Sequence, residues 1–429
     1  MLWDIYEQHL EEAAFQWTRW EQVLIAPDYV LDELVPMEER LHAHVDGLIL
    51  GGEPVAKRLL QPALQGDDPE LVRAAAFTLL LSEAPGGADA VLERVRPAGA
   101  PTLAAIQRAL ELLETARLPA WVQSLLREDS PKLQALGLEV MSLHQGAPAA
   151  ACQALASHEA PEVAAVALRA AGRSRVELAP AVVERALASP HVEVRDAAIV
   201  AGLMGGHRSA WAACRAAVQS RAPGSPLPLV LLAISGEERD LEKVQELLPE
   251  ESLRPAVLWA LGFSGRLTGA DFCFELMRNK PVAALAAEAF SAITGLRIEG
   301  PYAAEREAPE DQEPVPLEEE DLDADLGPKP EEALPQPQVE AIAQWWQKAR
   351  PRLESGRRYL EGQPFTAQVL IDALAHGSLR RRHVLALELA LRSRGAYRVP
   401  THAFMERQLK VMRLVREAPP SAFSRGLLS

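Results

Sequence analysis

The chain has 429 residues, 48% of them hydrophobic, 24% charged and only 5% aromatic, which is ample length for a large buried core. Its 44 Lys and Arg against 60 Asp and Glu leave a net charge of −16, a surface that repels polyphosphate and counts against non-specific nucleic-acid binding. Three cysteines in this length exclude a disulfide framework.

The opening MLWDIYEQHLEEAAF is acidic where an export signal needs a basic start and then an apolar run. The longest apolar stretches, such as Leu227 to Ile234, fall far short of the roughly 20 residues that span a bilayer. No membrane insertion and a cytoplasmic location are expected. Asp4 and Glu7 have the spacing of a capping box, and Leu10, Ala13, Ala14, Trp17 and Leu24 share one face of a first helix that Pro27 breaks. A second helix starts near Pro36, with Met37, Leu41, Val45 and Leu48 on one face, and Gly51-Gly52 ends it. Residues 1–52 are expected to form a helical N-terminal cap.

A repeat then begins. A turn with Asp, Ser or His leads to Pro and an Ala/Leu/Val-rich helix: DDPELVRAAAFTLL from Asp67, GAPTLAAIQRALELL from Gly99, DSPKLQALGLEVMSL from Asp129, EAPEVAAVALRAAG from Glu159 and ASPHVEVRDAAIVAGL from Ala188. Degenerate copies start at Ser225 and Glu250, and NKPVAALAAEAFSAITG starts at Asn279. Pro in the first helical turn wastes no hydrogen bond, and the preceding Asp or Ser is placed to cap. Val163, Val166, Ala167, Ala170 and Ala171 lie on one helical face, and Gly172 is placed as a left-handed cap. A shorter helix precedes each copy, so the unit is a hairpin of about 30 residues, and about eight hairpins fill 53–296.

The Pro, the Val72-Arg73 and Val194-Arg195 pairs and the Ala-rich second helix resemble the HEAT-repeat family, in the short bacterial form also found in phycobilisome lyases. The resemblance implies an all-α, superhelical α-solenoid of two-helix repeats, an architecture compatible with many functions.

The segment from Glu305 to Pro337 carries 13 acidic residues, seven prolines and a net charge of −11. Residues 297–337 are expected to be an acidic, Pro-rich disordered linker. Residues 338–429 read as a basic helical module, with 16 Lys/Arg and 6 Asp/Glu from Ala341 onward. Its helices are expected at about Thr366 to His376, Leu379 to Arg394 and His402 to Arg416, with Val384, Leu387, Glu388 and Leu391 on one face of the middle one. The opposite charges of linker and module predict that one masks the other. The ends also resemble an uncharacterised bacterial family through AAFQWTRW, EERLHAHVDGL, Trp345-Trp346, GRRYLEGQP and LRRRHVLALELALRSRG. Members of that family combine such ends with HEAT-like repeats and are often encoded beside type VI secretion genes. The resemblance implies genomic company rather than chemistry.

His42 and His44 point about 200° apart on a helix, and Asp46 adds only one further ligand to His42, so no metal site is expected. Cys152, Cys214 and Cys273 lack partners at useful spacing and read as core thiols. The Gly pairs near Ala84 and Leu203 lack the residues of a phosphate loop. Trp345, Trp346, Arg357, Arg358, Arg380, Arg381 and Arg382 are the candidate partner-binding residues: of the adjacent tryptophans one is expected to pack inward and the other outward, where it anchors a partner or joins the core, and the arginines are the densest positive groups, suited to an acidic protein surface. The arginines also fit a solvated or linker-paired face. The resulting expectation is a non-enzymatic protein–protein interaction scaffold or adaptor, set by resemblance in bacterial type VI secretion, without cofactor, metal or catalytic residues. The alternative is an enzyme or cofactor chaperone on a HEAT scaffold, lyase-like or DNA-glycosylase-like. The mixed charges around Arg73, Arg108, Arg169 and Arg195 argue against the basic groove a glycosylase needs.

Overall fold

The structure, a computed structural model, describes residues 1–82, 84–144, 146–221, 224–305, 329–423 and 426–427. The stretch 306–328, expected to be disordered, lies outside the described residues. The described residues are all-α apart from one short hairpin, Tyr359–Leu360 with Gln363–Pro364, in the register Tyr359↔Pro364 and Leu360↔Gln363. Among the described residues no helix is long and apolar enough to cross a membrane.

The Pro-led copies form helices Pro69–Leu81, Ala100–Leu112, Pro131–Leu143 and Pro161–Ser174, followed by Val192–Gly205, Leu227–Ser235, Arg254–Ser264 and Ala283–Thr294. Four begin at or next to their Pro, where the missing N–H would have been unpaired in any case. Asp68 caps as expected, accepting from the N–H groups of Glu70 and Leu71 at 2.9 and 3.4 Å. Ser130 stands at the same place without a side-chain cap bond. The expected capping box at Asp4 does not form either, because the first helix, Trp3–Val23, begins before it with Leu2 as its cap. Asp68→Ala is expected to cost about 1 kcal/mol, read as a lower urea midpoint; Ser130→Ala should leave that midpoint in place.

Gly172 departs from its expected role. The helix continues to Ser174, and Arg175 takes the left-handed turn at φ 55°. Gly172 instead allows close approach, since a Cβ there would lie 3.4 Å from Ala201 Cα. That contact lets helix Pro161–Ser174 pack against Val192–Gly205. Neighbouring copies pair in the same way elsewhere: Pro69–Leu81 with Ala100–Leu112, Pro131–Leu143 with Pro161–Ser174, Leu227–Ser235 with Arg254–Ser264, and Arg254–Ser264 with Ala283–Thr294. The second helix, Val35–Leu50, buries Met37, Leu41, Val45 and Leu48, while Trp17 and Trp20 of the first are fully buried. Burying each such side chain contributes about 1.5–3 kcal/mol. Cys152, Cys214 and Cys273 are buried and stand outside any disulfide, and burial pushes the Cys152 thiol up to about 11.

The chain divides into two compact units. Unit 1 holds Met1–Ile25, Tyr29–Ala216 and Leu374–Ser429; unit 2 holds Ala26–Asp28 and Ala217–Ala373. The residues after 338 are therefore shared between the units. In unit 2 the acidic segment is tied at its base. Ala303 and Pro337 form an antiparallel bridge, Ala304 N–H donates to Gln336 at 2.8 Å, and Gln338 N–H donates to Tyr302 at 2.7 Å.

Candidate functional site

An α-helix ends with unpaired carbonyls and a partial negative charge. Residues 338–429 supply the donors that meet many of these ends.

In unit 2, Arg358 donates to the carbonyls of Phe263 and Ser264 at 2.8 and 3.2 Å, and its guanidinium lies 4.0 Å from the Phe365 ring centroid. The hairpin continues the cover. Tyr359 N–H donates to Gly265 at 2.7 Å, while Glu361 and Gly362 donate to Ala292 and Ile293 at 2.8 and 3.0 Å. Helix Val339–Ala349 docks through Trp346, which is buried, meets Phe290 edge-on and donates from Nε1 to Asp271 at 3.1 Å. Arg350 holds both Asp271 oxygens at 2.8 and 2.6 Å. Trp345 is half-buried and stacks on Trp346 at an interplanar angle of 17°. Arg357 is exposed and paired with Glu354 at 3.1 Å.

In unit 1, helix Leu379–Arg392 meets Val192–Gly205, and Leu379, with Phe404, Met405 and Leu409 at the start of helix Met405–Glu417, packs into the core that holds Trp17, Trp20 and Phe77. Arg407 donates to Glu111 and Leu143, at the ends of two successive repeat helices, each at 2.7 Å. Phe404 lies between Trp17, Trp20, Phe77 and His42, with ring centroids at 6.4, 5.0, 6.0 and 4.7 Å. Glu38 is buried beneath it. Its Oε1 accepts from Trp20 Nε1 at 3.0 Å, and its carboxylate accepts from Met405 N–H, the first amide of the last long helix, at 3.0 and 2.9 Å. Burial raises this carboxyl to about 7; the two donors oppose that shift and do not outweigh it. His383 bridges Thr401 Oγ1 and the Leu24 carbonyl at 2.7 and 2.9 Å and stacks on His402. Burial, then the neighbouring His402, holds His383 down at about 3.

The three adjacent arginines have different surroundings. Arg382 is 1% exposed and donates to Leu374 O and Gln408 Oε1 at 2.6 and 2.8 Å. Burial lowers it to about 10, so it stays charged at neutral pH. Arg381 is 9% exposed, and Arg380 is half-buried. Arg357 thus presents the most open cation of the seven candidates, while Arg382 faces no solvent. The repeat arginines are also engaged: Arg73 donates to Thr18 Oγ1 at 2.8 Å, Arg108 pairs with Glu21 and Glu111, and Arg169 pairs with Glu139. Glu38, Phe404 and Arg407 escape sequence reasoning because each acts across more than 250 residues or through backbone carbonyls. The excess of arginine in 338–429 was the only available clue. His42 packs on Phe404, and His44 instead meets His9, with their Nδ1 atoms 3.0 Å apart. No group of three or more metal-ligating side chains occurs among the described residues.

Arg407→Met should cost unit 1 about 1–3 kcal/mol by leaving two helix ends without their donor. Faster amide exchange at the last turns of Ala100–Leu112 and Pro131–Leu143 would show it; unchanged exchange there would count against the capping role. No protein-family model matches the chain, and no curated protein matches it.

Proposed function

We propose that the chain is a non-enzymatic scaffold that holds another protein, built as a solenoid of HEAT-like two-helix repeats. The observation that carries this reading is that unit 1 already holds a segment of its own chain against its first helix and the ends of its Pro-led helices. The segment around Phe404 and Arg407 sits there as a bound peptide would, with an aromatic side chain among Trp17, Trp20 and Phe77 and a guanidinium on two helix ends. Side-by-side helices with small Ala faces offer an extended surface on which the same physics serves a partner chain. The resemblance of the chain ends supports a bacterial setting in the company of type VI secretion genes, and a cytoplasmic location is part of the same proposal. Of the sequence candidates, Arg357 and the outer face of Trp345 remain open for contact.

The test is affinity purification of the tagged full chain from its native cells, beside an Arg357→Glu variant. A stoichiometric protein partner that survives moderate salt with the wild-type chain supports the scaffold. No partner above the untagged control overturns it. Loss with Arg357→Glu would locate the contact on unit 2.

A further inference from the structure

The start of helix Met405–Glu417 is held in unit 1 at a few points. Phe404, the residue just before it, has no side-chain oxygen and cannot cap the helix itself. The carboxylate of Glu38 does so from outside, accepting from Met405 N–H at 3.0 and 2.9 Å, where it also meets the positive end of the helix dipole. The Phe404 ring enters among Trp17, Trp20 and Phe77, none of them more than 2% exposed. Arg407, about one turn on, lays its fork over the Glu111 and Leu143 carbonyls, each at 2.7 Å. Leu409 packs beside them, and Arg108 donates to the His402 carbonyl at 2.5 Å. Beyond these points the hold is thin. Phe404, Met405 and Arg407 are only half-buried. No described helix runs close beside Met405–Glu417, whereas Pro161–Ser174 lies along both Pro131–Leu143 and Val192–Gly205. The buried Met412 and Val415 are not part of the core around Trp17, Trp20 and Phe77. The buried Gln408 bonds to Arg382, Thr401 and Ala403 of its own C-terminal segment, and those bonds survive when the helix start leaves the slot. A half-open contact made at few points belongs to the low end of local stability.

We propose that this slot is a recognition site for the start of a helix in a partner protein, one with an aromatic residue just before the helix and arginine three residues on, and that Phe404–Arg407 is a resident copy of that motif which the partner displaces. The proposal rests on the scaffold reading and adds the chemistry of the partner. Each element of the motif has its own reader. The aromatic ring supplies buried area and edge contacts to the three rings around it. Glu38 reads the free first amide of a helix that lacks a polar cap. The two carbonyls accept only donors, and their placement at two helix ends suits the planar fork of arginine better than the point charge of lysine. Tethering sets the order of events. A segment of the same chain competes at an effective concentration in the millimolar range, so the slot stays closed to weak ligands and yields to a partner whose motif, or whose further contacts, bind more tightly.

The test uses a fluorescein-labelled peptide of residues 399–417 and the full chain, read by anisotropy at pH 7.5 up to millimolar protein. Phe404→Ala in the chain weakens the resident motif, and the peptide is expected to bind this variant at least tenfold more tightly than it binds the wild type. The same peptide carrying Phe404→Ala or Arg407→Met should bind the variant chain tenfold or more weakly than the unchanged peptide. Arg357→Met, in unit 2, should bind like the wild-type chain. Should the Phe404→Ala chain fail to fold, Arg407→Met loosens the same contact and should raise peptide binding several-fold. Equal binding by the wild-type and variant chains, or by the peptide and its Phe404→Ala form, would overturn the site. These arms use only the chain's own sequence, so they are decided whether or not native cells yield a partner. A native partner recovered equally from the wild-type and the Phe404→Ala chain would leave the scaffold standing and overturn this slot as its site.

Discussion

Replacing Glu38 by Gln is expected to make unit 1 about 3 kcal/mol more acid-sensitive than the wild-type chain between pH 7 and pH 4.5. Glu38 titrates at about 7 in the folded chain against an ordinary 4.5. The folded state therefore binds a proton over this interval that the unfolded state does not. A carboxyl raised in this way contributes stability that is fully present below pH 4.5 and is lost as pH rises through 7. His383 behaves in the opposite sense. Its folded value of about 3 lies below the ordinary 6.5, so its contribution is present above pH 6.5 and is lost as pH falls toward 3. Burial moves His42, His44 and His144 in the same direction as His383. In the wild type, protonation of Glu38 offsets part of this histidine loss on acidification. Gln at position 38 can still accept from Trp20 and Met405 through its carbonyl oxygen, but it takes up no proton. Urea midpoints of both proteins at pH 7, 6, 5 and 4.5 measure the difference. Parallel profiles would show that Glu38 does not carry the proton.

Gly295→Ala is expected to destabilise unit 2 by about 3 kcal/mol. Gly295 ends helix Ala283–Thr294 at φ +76°, where an L side chain is strained. A Cβ there would also lie 2.5 Å from the Glu361 carbonyl oxygen, against rigid backbone. Moving the hairpin away breaks the bonds from Glu361 and Gly362 to Ala292 and Ile293. Gly265 repeats the arrangement at the end of helix Arg254–Ser264, with φ +66° and the Tyr359 carbonyl against it. Gly300 is the control. It has φ +54° but no atom within 4 Å of the added carbon, so Gly300→Ala should cost only about 1 kcal/mol, the backbone strain alone. Equal urea midpoints for the two variants would dismiss the contact at Gly295.

Much of the helical content could be read from residue pattern, and the reasons are local. Pro69, Pro101, Pro131 and Pro161 mark helix starts through a property of one residue, and the apolar spacing of Leu10, Ala13, Ala14 and Trp17 marks the buried face. The C-terminal helices Ala367–His376, Leu379–Arg392 and Met405–Glu417 lie within three residues of their expected bounds. What escaped depends on distant neighbours. Gly172 has the right place for a cap, and only the approach of Ala201 shows that it is a packing residue. The short hairpin at Tyr359 exists because helix ends at Gly265 and Gly295 offer carbonyls to it. The basic character of residues 338–429 suggested an outward-facing patch. Arg358, Arg382 and Arg407 instead spend their donors on carbonyls of the same chain, which composition cannot distinguish from an exposed surface.

The divided make-up of unit 1 also sets the timetable of its folding. Its last segment begins at Leu374, while the stretch before it ends at Ala216. At about 5–20 residues per second, ribosomal synthesis of the stretch between takes roughly 8–30 s. For that interval Trp17, Trp20 and Phe77 lack the ring of Phe404, Glu38 lacks the amide of Met405, and the ends at Glu111 and Leu143 are left to water. Unit 2, drawn almost wholly from the residues made in that interval, has its segments together first. The part of the molecule that is translated earliest is thus the part that is completed last, its aromatic cluster waiting for a ring made near the end of synthesis.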